Sequence, residues 1–148
     1  MSTKPTGISR ILILKYIRIF FYVTIALNLL IINKLIFTIL ILGGPAGPGR
    51  NIIQILLFLL SMIVSILGSI FSKTKTIAII FLSIFIGIEI IFIIIQILIY
   101  AYSGIDASLN VLILRILAFS ASITLISLLL TSQVVIASSA EASDKTEG

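Results

Sequence analysis

Cysteine, histidine and tryptophan are all absent from this chain of 148 residues. Without cysteine there are no disulfides and no thiolate chemistry. Without histidine as well, Cys/His metal sites and imidazole acid–base catalysis are excluded. Acids are scarce: five Asp and Glu in all, which makes a carboxylate metal cluster an unpromising reading. No catalytic residue, cofactor or metal site is expected. Charge of either sign makes up 10% of the residues, against about 25% in an ordinary soluble domain. What fills the chain instead is hydrocarbon, with 60% apolar residues and a mean hydropathy of +1.36. A soluble fold of this size leaves too much surface facing water to hide that content. The composition is that of an integral membrane protein.

The few charges are unevenly spread. Lys4, Arg10, Lys15, Arg18, Lys34, Arg50, Lys73 and Lys75 all precede the first acid, Glu89. Arg115 and Lys145 follow it, together with Asp106, Glu141, Asp144 and Glu147. The net charge of +5 could in a soluble protein point to nucleic acid. Here the cations flank apolar runs, so they orient the chain and meet anionic headgroups at the cytosolic face of a lipid bilayer. No nucleic-acid partner is expected.

Residues 1–10 read as a short cytosolic segment. Residues 11–136 carry four transmembrane helices, at about 11–42, 51–71, 77–102 and 108–135, each at or above the ~20 residues a span needs. The first lacks an uninterrupted apolar core and a small-residue cleavage site, so it reads as an uncleaved anchor. Gly43-Gly44-Pro45-Ala46-Gly47-Pro48-Gly49 stops any helix and forms a short turn. No GK[ST] follows it, so a phosphate-cradling loop is not indicated. Ser72 to Thr76 is a tight basic loop, and Tyr100 and Tyr102 suit a headgroup belt. Residues 137–148, small and net acidic, are expected to be a flexible cytosolic tail. The expected fold is all-α, a four-helix membrane bundle of up-down topology with short loops. Cations near the span ends place both termini in the cytosol.

Between helices in lipid, close approach at small residues matters more than hydrophobic force. The second span carries Ser61, Ser65, Gly68 and Ser72, and the fourth carries Ser120, Thr124, Ser127 and Thr131, at matching offsets. Each set draws one narrow stripe, expected as a packing seam within the bundle or against a second copy or a membrane partner. Thr24 and Asn28 of the first span and Ser83 and Gly87 of the third are expected to join them.

Ionisable groups inside a membrane are functional candidates. Asn28, Lys34, Glu89, Gln96 and Arg115 form a polar layer when depths are counted from the outer span ends. Asn28 and Glu89 are level, and the other three lie one to two turns further out. Long cationic side chains reach that far, so Glu89 could pair with Arg115 or with Lys34. It could instead be neutral and hydrogen-bonded to Asn28 or Gln96, or it could couple to protons or cations.

The run Arg10-Ile-Leu-Ile-Leu-Lys-Tyr-Ile-Arg18, the short basic loop 72–76, and Glu89 ahead of the aromatic-ended half-span to Tyr102 resemble small four-span MARVEL-type proteins, especially fungal ones. The resemblance implies a non-enzymatic role in membrane organisation, in lateral microdomains or vesicle traffic, at the plasma membrane or in the secretory pathway. The alternatives are a small proton-coupled transporter using Glu89 and an accessory subunit of a larger membrane complex.

Overall fold

The computed structural model describes residues 6–42, 48–103 and 109–144. They form four helices: α1 (Thr6–Leu42), α2 (Pro48–Phe71), α3 (Lys75–Ser103) and α4 (Leu109–Asp144). Local chemistry explains the ends. α1 stops where Gly43-Gly44-Pro45 begins, and α2 starts on Pro48, whose fixed φ and missing N–H suit a first helical position. Between α2 and α3 the chain reverses in three residues. Ser72 N donates to Gly68 O at 3.0 Å, Lys73 N to Phe71 O at 2.6 Å, and Ala78 N to Thr74 O at 3.0 Å, the first bond of the new helix.

Both outer helices are longer than the sequence suggested. α1 is already helical at Thr6, inside the expected N-terminal segment. α4 runs on through 137–144, so that part of the expected flexible tail is helix. The stretch Ala137-Ser-Ser-Ala-Glu-Ala142 contains no Gly or Pro, and its alanines and glutamate are strong helix formers, so nothing local ends a helix already nucleated upstream. Residues 145–148, the core of the 43–49 turn and the turn near 104–106 lie outside the described residues.

The side-chain registers make every neighbouring pair antiparallel. Phe21 lies over Gly68 while Asn28 meets Ser61; Phe71 stacks near Phe81 while Phe58 meets Phe92. Each helix packs on its sequence neighbours, and α1 and α4 close the ring. The interior has three levels. At one end Ile17, Phe21, Val64, Ala78, Leu82, Phe85, Ile88 and Leu129 form a core, with Phe20, Phe21 and Phe85 meeting at ring edges. Towards the other end Ile32, Phe58 and Phe92 form a second. A polar level separates them.

The outside is as apolar as the inside. Leu40 is 79% exposed, Ile11 72% and Leu30 66%. Four helical stretches are long and apolar enough to cross a bilayer: Ile11–Ile41, Ile52–Phe71, Lys75–Ile99 and Leu109–Ser132. An exterior of this kind fits hydrocarbon as the solvent, where helices satisfy their own backbone groups and leave only side chains to face lipid.

Candidate functional site: a polar knot between two apolar cores

Each helix delivers one polar side chain to the middle level: Asn28 from α1, Ser61 from α2, Glu89 from α3 and Arg115 from α4. All are buried, at 2%, 0%, 0% and 3% exposure. Arg115 is the donor that joins them. Its Nη1 donates to Glu89 Oε1 at 2.6 Å and to Ser61 Oγ at 3.3 Å, and its Nη2 donates to Asn28 Oδ1 at 2.7 Å. Ser61 Oγ accepts from Asn28 Nδ2 at 3.1 Å and donates to Glu89 Oε1 at 3.3 Å. The guanidinium carbon lies 4.3 Å from the ring centroids of both Phe58 and Phe92, so the cation also meets two aromatic faces. Those rings stand 4.7 Å apart, nearly edge to face, and belong to the second core.

The Arg115–Glu89 pair is a single charge-assisted hydrogen bond, and the guanidinium's remaining hydrogen bonds go to Asn28 and Ser61. One acceptor is not used. Glu89 Oε2 is buried without a hydrogen-bond partner. Among the described residues no three His, Cys, Asp or Glu side chains come together, so no such group offers a metal site.

The five polar residues singled out in the sequence divide three to two. Asn28, Glu89 and Arg115 meet, and of the pairings open for Glu89 the structure contains the one with Arg115. Gln96 is buried, but it sits two turns beyond Glu89 on the far side of Phe92, with Oε1 unpartnered. Lys34 is exposed and takes no part in the knot. It is six residues beyond Asn28, a rotation of about 240° that turns it off the inner face.

The α2 stripe points inward throughout: Ser61, Ser65, Gly68 and Ser72 are buried. Ser65 returns its hydroxyl to Ser61 O at 2.8 Å, and a Cβ on Gly68 would lie 2.6 Å from the Phe21 ring. The α4 stripe does not form a seam within this bundle. Ser120, Thr124, Ser127 and Thr131 are all exposed, and three of the hydroxyls bond back to carbonyls four residues earlier. Arg115 sets the rotation of α4, and the line it brings inward at seven-residue steps is Arg115, Ser122 and Leu129. Ser122, which the stripe pattern would have put on the outside, is fully buried. Ser83 and Gly87 likewise face outward, because Phe85, Glu89, Phe92 and Gln96 define the inner face of α3. Thr24 is buried beside Asn28, as expected. On the surface, Ile13, Tyr16 and Phe20 of α1 and Ala121, Thr124 and Leu128 of α4 line an open apolar groove of about 510 Å³.

Sequence reasoning missed two parts of the knot. Ser61 had been placed only in a seam, and Phe58 and Phe92 had not been singled out. A signal existed: Phe58 lies three residues before Ser61 and Phe92 three after Glu89, hence on the same helix faces. No protein family matches the chain, and no curated protein or solved structure matches it either.

Proposed function

We propose that the chain is an integral four-span membrane protein that organises or scaffolds its membrane without catalysis, in the manner of small MARVEL-type proteins. The observation that carries this reading is that the central charges are spent on holding helices together. Arg115, Glu89, Asn28 and Ser61 bond chiefly to one another, one residue per helix. Both termini and the Lys73–Lys75 turn face the cytosol, since Lys15, Arg18, Lys73 and Lys75 gather at that end. The plasma membrane or the secretory pathway is the setting. A second reading, proton-coupled transport, draws on the buried and unpartnered Glu89 Oε2.

Proteoliposomes with an imposed pH gradient separate the two. The scaffold reading expects the gradient to decay no faster than in empty vesicles, with Glu89→Gln indistinguishable from the native chain. Native-chain proton flux that Glu89→Gln abolishes would overturn it in favour of transport.

A further inference from the structure

Outside the central knot, two buried polar atoms that lie near each other, Ser72 Oγ and Arg18 Nε, have no hydrogen-bond partner. They lie at the end of the bundle where α2 turns into α3. Ser72 is fully buried, and its Oγ has no hydrogen-bond partner. Eight hydroxyls within the described helices behave differently. Thr24, Ser65, Ser69, Ser120, Ser122, Thr124, Thr131 and Ser132 each bond to a carbonyl three or four residues earlier. Arg18 is half-buried, and its Nε is shut from solvent without an acceptor.

The registers bring these groups to one place. Phe21 lies over Gly68, and α1 and α2 are antiparallel. One turn back along α1 from Phe21 therefore stands level with one turn forward along α2 from Gly68, which is Arg18 beside Ser72. On α1, Arg18 lies about 60° from Phe21, on the side turned to α2 and away from the groove lined by α4. Lys75, half-buried, opens α3 at the same end. The amides of Thr76 and Ile77 precede the first bond of α3, Ala78 N to Thr74 O, so no intrahelical acceptor serves them. The nearby carbonyls of Gly68 and Phe71 each accept a backbone amide, from Ser72 N and Lys73 N.

At this end the charged residues of α1, of the turn between α2 and α3, and of the start of α3 are all cations: Arg10, Lys15, Arg18, Lys73 and Lys75. α4 contributes acids only far beyond it. Leu129 shares the core with Ile17 and Ala78, while Glu141 and Asp144 are 12 and 15 residues further on, about 18–22 Å along a helix.

We propose that Arg18, Ser72, Lys75 and the first amides of α3 form a binding site for a phosphate group. The donors are of the kinds that recognise phosphate oxygens: a guanidinium, a hydroxyl, an ammonium and a helix N-terminus. The phosphate comes from an anionic lipid headgroup or from free phosphate. The lipid source rests on the membrane reading above; the set of donors does not.

The test is native mass spectrometry of the purified full-length protein in mild detergent, titrated with dioleoyl phosphatidic acid or dioleoyl phosphatidylcholine. Phosphatidic acid should be retained about tenfold better, and Arg18→Gln should lose about that factor, as expected for a charge-assisted hydrogen bond. Ser72→Ala should lose about threefold, which is the size of one neutral hydrogen bond and keeps the test open should Arg18→Gln unfold. Lys15→Gln removes the same charge from an exposed neighbour and should cost less than about twofold. Displacement of the lipid by millimolar inorganic phosphate supports the site with a soluble source, and resistance to displacement supports the lipid. Equal losses in Lys15→Gln and Arg18→Gln would mean diffuse surface attraction and would overturn the site, as would no preference for phosphatidic acid together with no phosphate binding. If labelling instead places the turn outside the cell, the cytosolic orientation falls while the site, measured in detergent, stands.

Discussion

The guanidinium of Arg115 spreads its N–H groups over three other helices, and this makes its loss unlike the loss of an ordinary ion pair. Glu89→Leu leaves a cation in the middle of the bundle, which costs about 3 kcal/mol at a helix centre. Arg115→Leu leaves a carboxylate there and removes the donor to Asn28 Oδ1 and Ser61 Oγ as well, at a similar cost. The double change strands no charge and lets two apolar side chains pack in the middle level, against Phe58 and Phe92. It should cost about 3 kcal/mol or less, well below the sum of the singles, when unfolding is followed in detergent. Strict additivity would mean that the contact carries no energy. Ser61→Ala should cost about 1 kcal/mol in the same assay, because it removes the hydroxyl that Arg115 and Asn28 share. The seam reading of Ser61 makes a different prediction, since alanine packs at least as closely as serine.

At the scale of helices, rotation decides which small residues matter. α2 and α4 carry hydroxyl and glycine stripes at the same spacing, yet one is buried and the other exposed. Gly68→Leu should cost about 1–3 kcal/mol, because even a Cβ there lies 2.6 Å from a Phe21 ring enclosed by the core. Ser122→Leu should be destabilising for the same reason of space. Thr124→Leu, Ser127→Leu and Ile63→Phe add bulk to exposed positions and should leave the detergent melting temperature nearly unchanged. A melting loss in Thr124→Leu or Ser127→Leu as large as that in Gly68→Leu would show that α4 uses its outer stripe, against a second copy or another membrane protein.

For the whole molecule, the antiparallel ring with an apolar exterior leads to one topology. The helix ends at Thr6, Phe71, Lys75 and Asp144 share a side, and those at Leu42, Pro48, Ser103 and Leu109 lie opposite. The native chain has no cysteine, so each introduced thiol reports alone. An impermeant maleimide added to intact cells should label Gly47→Cys and Gly104→Cys. Thr74→Cys and Ser143→Cys should react only after permeabilisation. External labelling at Thr74→Cys would invert the assignment, and labelling of Thr74→Cys and Gly104→Cys from the same side would break the four-span count.

The four helices were legible because hydropathy is a local sum. A run such as Ile77 to Ile99 is apolar whichever way it packs, and Gly43-Gly44-Pro45 ends a helix without regard to neighbours. Depth was legible for a related reason: a fixed rise per residue converts position into height, and this brought Asn28, Glu89 and Arg115 close enough to propose a meeting. Rotation about each helix axis was not legible, since the apolar residues of α1 and α4 are spread around the whole circumference and the one clear stripe on α4, its hydroxyls, marked the face that turns outward. That choice fell to tertiary structure, through the cost of leaving a buried charge without a partner. Arg115 had to reach Glu89 and Asn28, which turned Ser122 and Leu129 inward and the hydroxyl stripe of α4 outward.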